Sequence, residues 1–207
     1  MIKIRPAVLA DAPELLRAYR ENRDFLQPWE PVRDDSFFTQ KGTELRLAVM
    51  EANRAAGTEN RCVILAPAGG LAESRSAERG AAGSGAARSG AAESEPGEGA
   101  DEIVGMISLT MIERGPVEAA HLGYWVAQSA NGRGVATAAV AAMIDLAFGE
   151  MGLHRLEACT MLHNAGSQKV LGRNGFERIG LARRYLKIAG RWQDHILFQR
   201  LATEDES

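Results

Sequence analysis

The chain has 207 residues, 45% hydrophobic and 25% charged, which suits one globular domain with a substantial core. Its net charge of −3 is uneven: residues 66–102 carry −4 and Glu204, Asp205 and Glu206 add −3, leaving +4 on the remainder. A body that mildly basic fits an anionic ligand but is far too weak to argue for nucleic acid, and no run approaches the roughly 20 apolar residues of a membrane span.

Residues 2–5 (IKIR) alternate as a strand that stops at Pro6. The opening lacks the basic-then-apolar layout of an export signal, so a cytoplasmic protein is expected. Asp11 with Glu14 three positions on reads as a capping pair, and Leu15, Leu16 and Tyr19 carry a helix over 12–25. The proline-punctuated segment Phe25-Leu26-Gln27-Pro28-Trp29-Glu30-Pro31 predicts a structured loop, and 37–56 a second helix ending near Gly57. Strands are expected at 61–65 and 102–112. Between them residues 67–101 are almost wholly Ala, Gly, Ser, Glu and Arg, with Leu71 the single large apolar residue. Such a segment cannot bury enough surface to offset its ordering entropy, so it reads as a disordered insertion at a hairpin tip. A short Ala-rich helix around 77–92 is the alternative, opposed by the glycines there. A strand over 118–127, a helix over 133–149, a strand over 153–161, a helix over 165–173 and strands over 176–188 and 191–200 complete the pattern. The expectation is therefore one mixed α/β domain over 1–203, interrupted by that insertion and followed by an acidic tail at 204–207.

The strongest chemical signal is the run Gly123-Tyr124-Trp125-Val126-Ala127-Gln128-Ser129-Ala130-Asn131-Gly132-Arg133-Gly134-Val135-Ala136-Thr137. It passes from strand through a glycine-rich turn into a helix. Glycines let backbone N–H groups approach an anion, and the helix start adds unpaired donors and its positive dipole end. No Lys-Ser or Lys-Thr follows Gly132 or Gly134, so this is not a P-loop. Thr137 stands where a dinucleotide fingerprint wants Gly or Ala. A tight strand–helix turn with no ligand is the bland alternative.

The turn at Asn131-Gly132-Arg133-Gly134-Val135-Ala136 is similar to the acyl-CoA pyrophosphate motif [R/Q]-x-x-G-x-[G/A] of the GNAT N-acetyltransferases, departing at Asn131. Asn164-Ala165-Gly166-Ser167 and Gly172-Arg173-Asn174-Gly175-Phe176 match a second segment of that superfamily. Within it the chain resembles the RimJ/RimL-type ribosomal-protein-alanine N-acetyltransferases, through residues 21–34 (ENRDFLQPWEPVRD), Leu122-Gly123-Tyr124, Leu153-His154-Arg155, His163-Asn164 and residues 190–195 (GRWQDH). The insertion at 67–101 has no counterpart in that pattern. The resemblance implies a GNAT fold with a central, mostly antiparallel sheet flanked by helices. It also implies acetyl-CoA as co-substrate, direct attack by an amine in a ternary complex, and a protein N-terminus, possibly ribosomal, as acceptor. The amides of Tyr124, Trp125, Val126 and Ala127 would hold the pantetheine where their strand splays from its neighbour. Residues 131–137 would take the pyrophosphate, and Asn164 would contact the pantetheine arm.

For the leaving thiolate, many GNAT enzymes use a Tyr seven residues after the Asn, where Leu171 stands here. Ser167 is the remaining candidate, although a first-turn serine can equally satisfy its own backbone. Glu30 and Glu118 are the candidate bases, and His121 could relay a proton beside the acceptor. Pro28, Trp29 and Glu30 would cover the acceptor, or Pro28 and Trp29 could simply pack the first helix. An α-amine with a pKa near 8 is already partly free at neutral pH, so little basic assistance is required. Cys62 and Cys159 read as core residues, and with four histidines they show no metal-ligand spacing, so no metal is expected. No membrane or direct nucleic-acid partner is implied, and monomer and homodimer both stay open. The rival functions are acetylation of a small amine such as an antibiotic or polyamine, and acetyl-CoA binding without catalysis in ribosome assembly.

Overall fold

The computed structural model describes residues 1–67 and 101–203. The expected disorder between them and the acidic tail lie outside the described residues. In chain order the elements are β1 (Lys3–Pro6), α1 (Ala12–Glu21), α2 (Arg23–Leu26), α3 (Gln40–Ala55), β2 (Asn60–Pro67), β3 (Asp101–Glu113), β4 (Ala119–Val126), α4 (Val135–Asp145), β5 (Arg155–Met161), α5 (Ala165–Arg173), β6 (Glu177–Ile188) and β7 (Arg191–Leu201). Pro67 and Asp101, expected within the insertion, instead face each other as the last pair of the β2–β3 ladder.

The strands form one sheet in the order β1-β2-β3-β4-β5-β7-β6. Every pairing is antiparallel except β4–β5, so the mixed α/β, mostly antiparallel architecture is the expected one. Residues alternate between the two faces with period two. Cys62, Ile64 and Ala66 of β2 join a core with Val140 and Met143 of α4 and Leu156 of β5. Val63 looks the other way, toward Leu15 and Tyr19 of α1 and Leu47 of α3. Each fully buried Leu or Phe here contributes roughly 1.5–3 kcal/mol. A register shift at Ile64/Leu65 leaves Val104 as an extra residue in β3. The parity of β3 flips there, which is why Val104 packs toward α4 while Met106, two residues on, packs toward α1.

Local structure departs from expectation where tertiary contacts compete. The Asp11 carboxylate does not cap α1; it takes two bonds from the Arg5 guanidinium, at 2.8 and 2.7 Å, and one from Val8 N–H at 2.9 Å. Glu14 accepts the Ile103 N–H at 2.7 Å instead of closing a capping box. The helix expected over 12–25 breaks at Asn22, and that over 133–149 begins at Val135 and ends in a π-helical turn, Leu146–Glu150.

The feature that positions the site lies between β4 and β5. They pair only at Ala119↔Arg155, Ala120↔Leu156 and His121↔Glu157. Past that point β4 stays with β3 as far as Val126 and β5 stays with β7 as far as Met161. The two strands therefore diverge and open a V in the sheet, as the resemblance implied. Backbone groups of Leu122–Val126 that would have bonded β5 face the gap.

Candidate active site

The V opens into a cleft of about 650 Å³ walled by the end of β4, the turn into α4 and the first turns of α5. Tyr124, Trp125 and Val126 line one side, and Asn131, Gly132, Gly134, Val135, Ala136 and Thr137 line the end formed by the glycine turn. Gly132 and Gly134 have φ of +76° and +77°, values that glycine adopts without strain. Gly134 is the N-cap of α4 and no side chain caps that helix. The first N–H groups of α4 thus lack intrahelical partners where they meet the cleft. Arg133 Nη1 is buried with no hydrogen-bond partner among the described residues. Lys169 and Arg173, one turn apart on α5, add positive charge to the same cleft. The donor set fits a pyrophosphate.

The opposite wall begins at Asn164, whose Oδ1 accepts Ser167 N–H at 3.0 Å and caps α5. Both residues line the cleft. Ser167 Oγ lies 2.8 Å from Tyr124 Oη, so a hydroxyl–hydroxyl bond joins β4 to α5 across the mouth of the V. Burial pushes the Tyr124 phenol up to about 12, partly offset by that bond.

A second, smaller pocket of about 340 Å³ adjoins the cleft, and Leu26 lines both. Pro28 and Glu30 face this pocket, whereas Trp29 faces the cleft, its ring 5.3 Å from that of His163. The Glu30 carbonyl accepts Ala189 N–H at 2.9 Å, which ties this lip to the β6–β7 hairpin. Burial raises the Glu30 carboxyl above the usual glutamate range, with the Arg33 guanidinium 3.4 Å away partly offsetting it. Tyr19 lines the small pocket and Trp125 the cleft, and Trp125 Nε1–H donates to Tyr19 Oη at 3.0 Å. The Tyr19 phenol is pushed up to about 12 by burial and by the nearby Glu30 charge.

Four expected site residues line neither pocket. Glu118 precedes β4 and is bound to Arg114 at 2.9 Å and to Gly115 N–H at 2.8 Å. At a strand rise of ~3.3 Å per residue it stands about 20 Å from Tyr124, too far to serve the same reacting centre. Ala127 N–H is already given to Val104 O at 2.7 Å, so it is not free for a ligand. Arg133 belongs to the anion turn without lining the cleft. His121 lines neither pocket; it lies at the vertex of the V, with Nε2 3.5 Å from the Glu157 carboxylate. Tyr19, Lys169 and Arg173 line the two pockets although the sequence assigned them no site role. Helical spacing 166–169–173 was the available signal for the last two.

A V-shaped opening beside one parallel strand pair, with a glycine turn feeding a helix at its edge, is the arrangement of an acyl-CoA-dependent transferase. The family model for the acetyltransferase (GNAT) domain matches residues 2–177; the chain belongs to that family and is an acyltransferase. Among relatives it is similar to the [Ribosomal protein uS5]-alanine N-acetyltransferase of Escherichia coli (strain K12), 34% identical over 90% of this chain and 80% of that one. It is also similar to a Bacillus subtilis (strain 168) protein designated Probable N-acetyltransferase YjcK, 31% identical over 99% of this chain and 96% of the other. Among solved structures, Mycobacterium smegmatis RimJ in complex with CoA-disulfide superposes with a TM-score of 0.77, at 28% identity over 97% of this chain and 82% of that one.

Proposed function

We propose that this chain is a cytoplasmic enzyme that acetylates the N-terminal α-amine of a protein, of the ribosomal-protein-alanine type, with acetyl-CoA as donor. The observation that carries the reading is the continuity of two pockets through Leu26: a cleft ending in a glycine turn, and a smaller pocket bearing a half-buried carboxylate. The likeness to the uS5-alanine enzyme supports the acceptor class.

Acetyl-CoA, when bound, supplies a thioester whose carbonyl carbon accepts the amine while the sulfur departs with the bonding electrons. The amides around Gly132, Gly134 and the start of α4, together with Lys169 and Arg173, would hold its phosphates. The backbone N–H groups of β4 that face the V stabilise charge on the carbonyl oxygen, as fixed main-chain donors do. Ser167 presents a hydroxyl to the departing sulfur. Glu30 holds the acceptor's ammonium at the lip and accepts its proton, a task helped by the raised proton affinity of a half-buried carboxylate.

The test is thiol release from acetyl-CoA against Ala-, Ser-, Met- and Glu-starting peptides, each also with a blocked α-amine, beside an aminoglycoside and spermidine. Release only with free-amine Ala- or Ser-starting peptides is expected. Release with a small amine instead would replace the protein acceptor. Silence with every acceptor despite acetyl-CoA binding would point to the non-catalytic alternative.

A further inference from the structure

We infer that Tyr124 is a positioning residue for the leaving-group step: its phenol O–H donates to Ser167 Oγ and so frees the Ser167 hydrogen to point at the sulfur. This rests on the reading that Ser167 faces the thioester sulfur, and it assigns the side chain of Tyr124 a task separate from that of its backbone.

A serine hydroxyl has one hydrogen and two lone pairs. In the first turn of a helix that hydrogen readily turns onto nearby backbone carbonyls and is lost to a ligand. Ser167 N–H is committed to Asn164 Oδ1, so the residue is fixed in place while its hydroxyl stays free to rotate. Tyr124 Oη, 2.8 Å away, restricts that rotation. The direction of the bond follows from acidity. A phenol ionises near 10, well below an aliphatic alcohol, and is the better donor of the two. The Tyr124 phenol keeps its proton throughout the working range, being pushed up to about 12 by burial. Its other acceptor, Ser167 O, lies at 3.4 Å and is the weaker choice. With the Tyr124 hydrogen on one lone pair of Oγ, the serine hydrogen is directed away from Tyr124. Tyr124 is itself held by β3, opposite Ile107, so the hydroxyl pair ties α5 to the rigid side of the V.

Atoms balance without a proton leaving Tyr124. The C–N bond forms, the C–S bond breaks, the electron pair goes to sulfur, and the proton shed by the amine equals the one the sulfur takes up. Ser167 O–H bonds the sulfur while it carries charge.

The readout needs no acceptor: the ionisation of enzyme-bound CoA, followed by thiolate absorbance as pH is raised. In wild type the directed Ser167 hydroxyl should favour the thiolate. Tyr124→Phe and Ser167→Ala should each raise the titration midpoint by about one pH unit, the scale of one charge-assisted hydrogen bond. The double variant should shift it no further than Ser167→Ala alone. Circular-dichroism melts check that all three fold. A Tyr124→Phe midpoint equal to wild type, or shifts that add in the double variant, would overturn the inference. If the midpoints move as expected while no peptide is acetylated, only the acceptor assignment fails. If peptides are acetylated but Tyr124→Phe leaves the midpoint alone, this inference fails and that assignment stands.

Discussion

Asn22 Oδ1 accepts the backbone N–H of Gln128 at 2.8 Å, while its Nδ2 donates to Ala18 O at the same distance. One buried amide therefore joins the end of α1, where the acceptor lip begins, to the turn that leads into the anion site. Asn22→Ala leaves the Gln128 N–H and the Ala18 carbonyl without that partner. Such a loss costs about 1–3 kcal/mol when the groups stay buried. The expected result is a lower melting temperature together with several-fold weaker acetyl-CoA binding by calorimetry. Asn22→Asp keeps the acceptor for Gln128 and should recover most of the binding but not all of the stability.

Gly134 separates backbone strain from ligand approach. Its φ of +77° disfavours any L side chain, but a Cβ there would meet no protein atom within 4 Å. Gly134→Ala should thus cost about 1–2 kcal/mol by conformation alone. Gly57, at φ +73° beyond the end of α3 and equally open, is the control. Both alanine variants should lose similar stability in denaturant titrations. Only Gly134→Ala should weaken acetyl-CoA binding, by about ten-fold or more, because its methyl stands where a phosphate must approach the amides. Equal affinity in the two variants would remove the anion site from this turn.

What the sequence made legible, and what it hid, divides along one physical line. Alternation and helical spacing are local, and they placed the sheet, the helices and the glycine turn. Asn22 lies inside an unbroken helical pattern, and that pattern carries no trace of its bond to the distant Gln128 N–H. Asp11 has a good local reason to cap α1, and Arg5 outcompetes it with a two-bond contact. Glu118 and Tyr124 belong to the same strand region, but nothing in the pattern says which end meets the cleft. That depends on where β5 leaves β4 for β7, which is a pairing and not a propensity. The Tyr124–Ser167 bond joins residues 43 positions apart, beyond the reach of any periodicity.

The Arg5–Asp11 pair predicts an acid-sensitive contribution to stability. Burial would raise the Asp11 carboxyl, but Arg5 and the Val8 N–H outweigh it and hold the group below the usual aspartate range. A depressed folded value means that the stabilisation is present above the unfolded pKa of about 3.9 and is lost as pH falls through the folded value. Asp11→Asn should be about 2 kcal/mol less stable than wild type at neutral pH. The two unfolding free energies should converge as the solution is acidified below pH ~4. A gap independent of pH would assign the effect to packing.

Glu30 carries the opposite sign. Burial favours its protonated form in the folded chain, and Arg33 only partly compensates. A carboxyl whose folded pKa is raised binds its proton more tightly folded than unfolded. Its effect on stability is therefore most favourable below the unfolded value of about 4.3 and declines as pH rises toward the folded one. Glu30→Gln removes that decline, so the variant should gain on wild type in melting temperature across the window and hold a constant lead above it. Function should move the other way. With the carboxylate gone, the KM for an Ala-starting peptide should rise about ten-fold, the worth of roughly one charged contact. Affinity for acetyl-CoA, bound in the adjoining cleft, should not change. An unchanged peptide KM beside the predicted gain in stability would confine Glu30 to holding the lip, through the Ala189 N–H that its carbonyl accepts, and the acceptor's ammonium would then have to be met elsewhere in the groove.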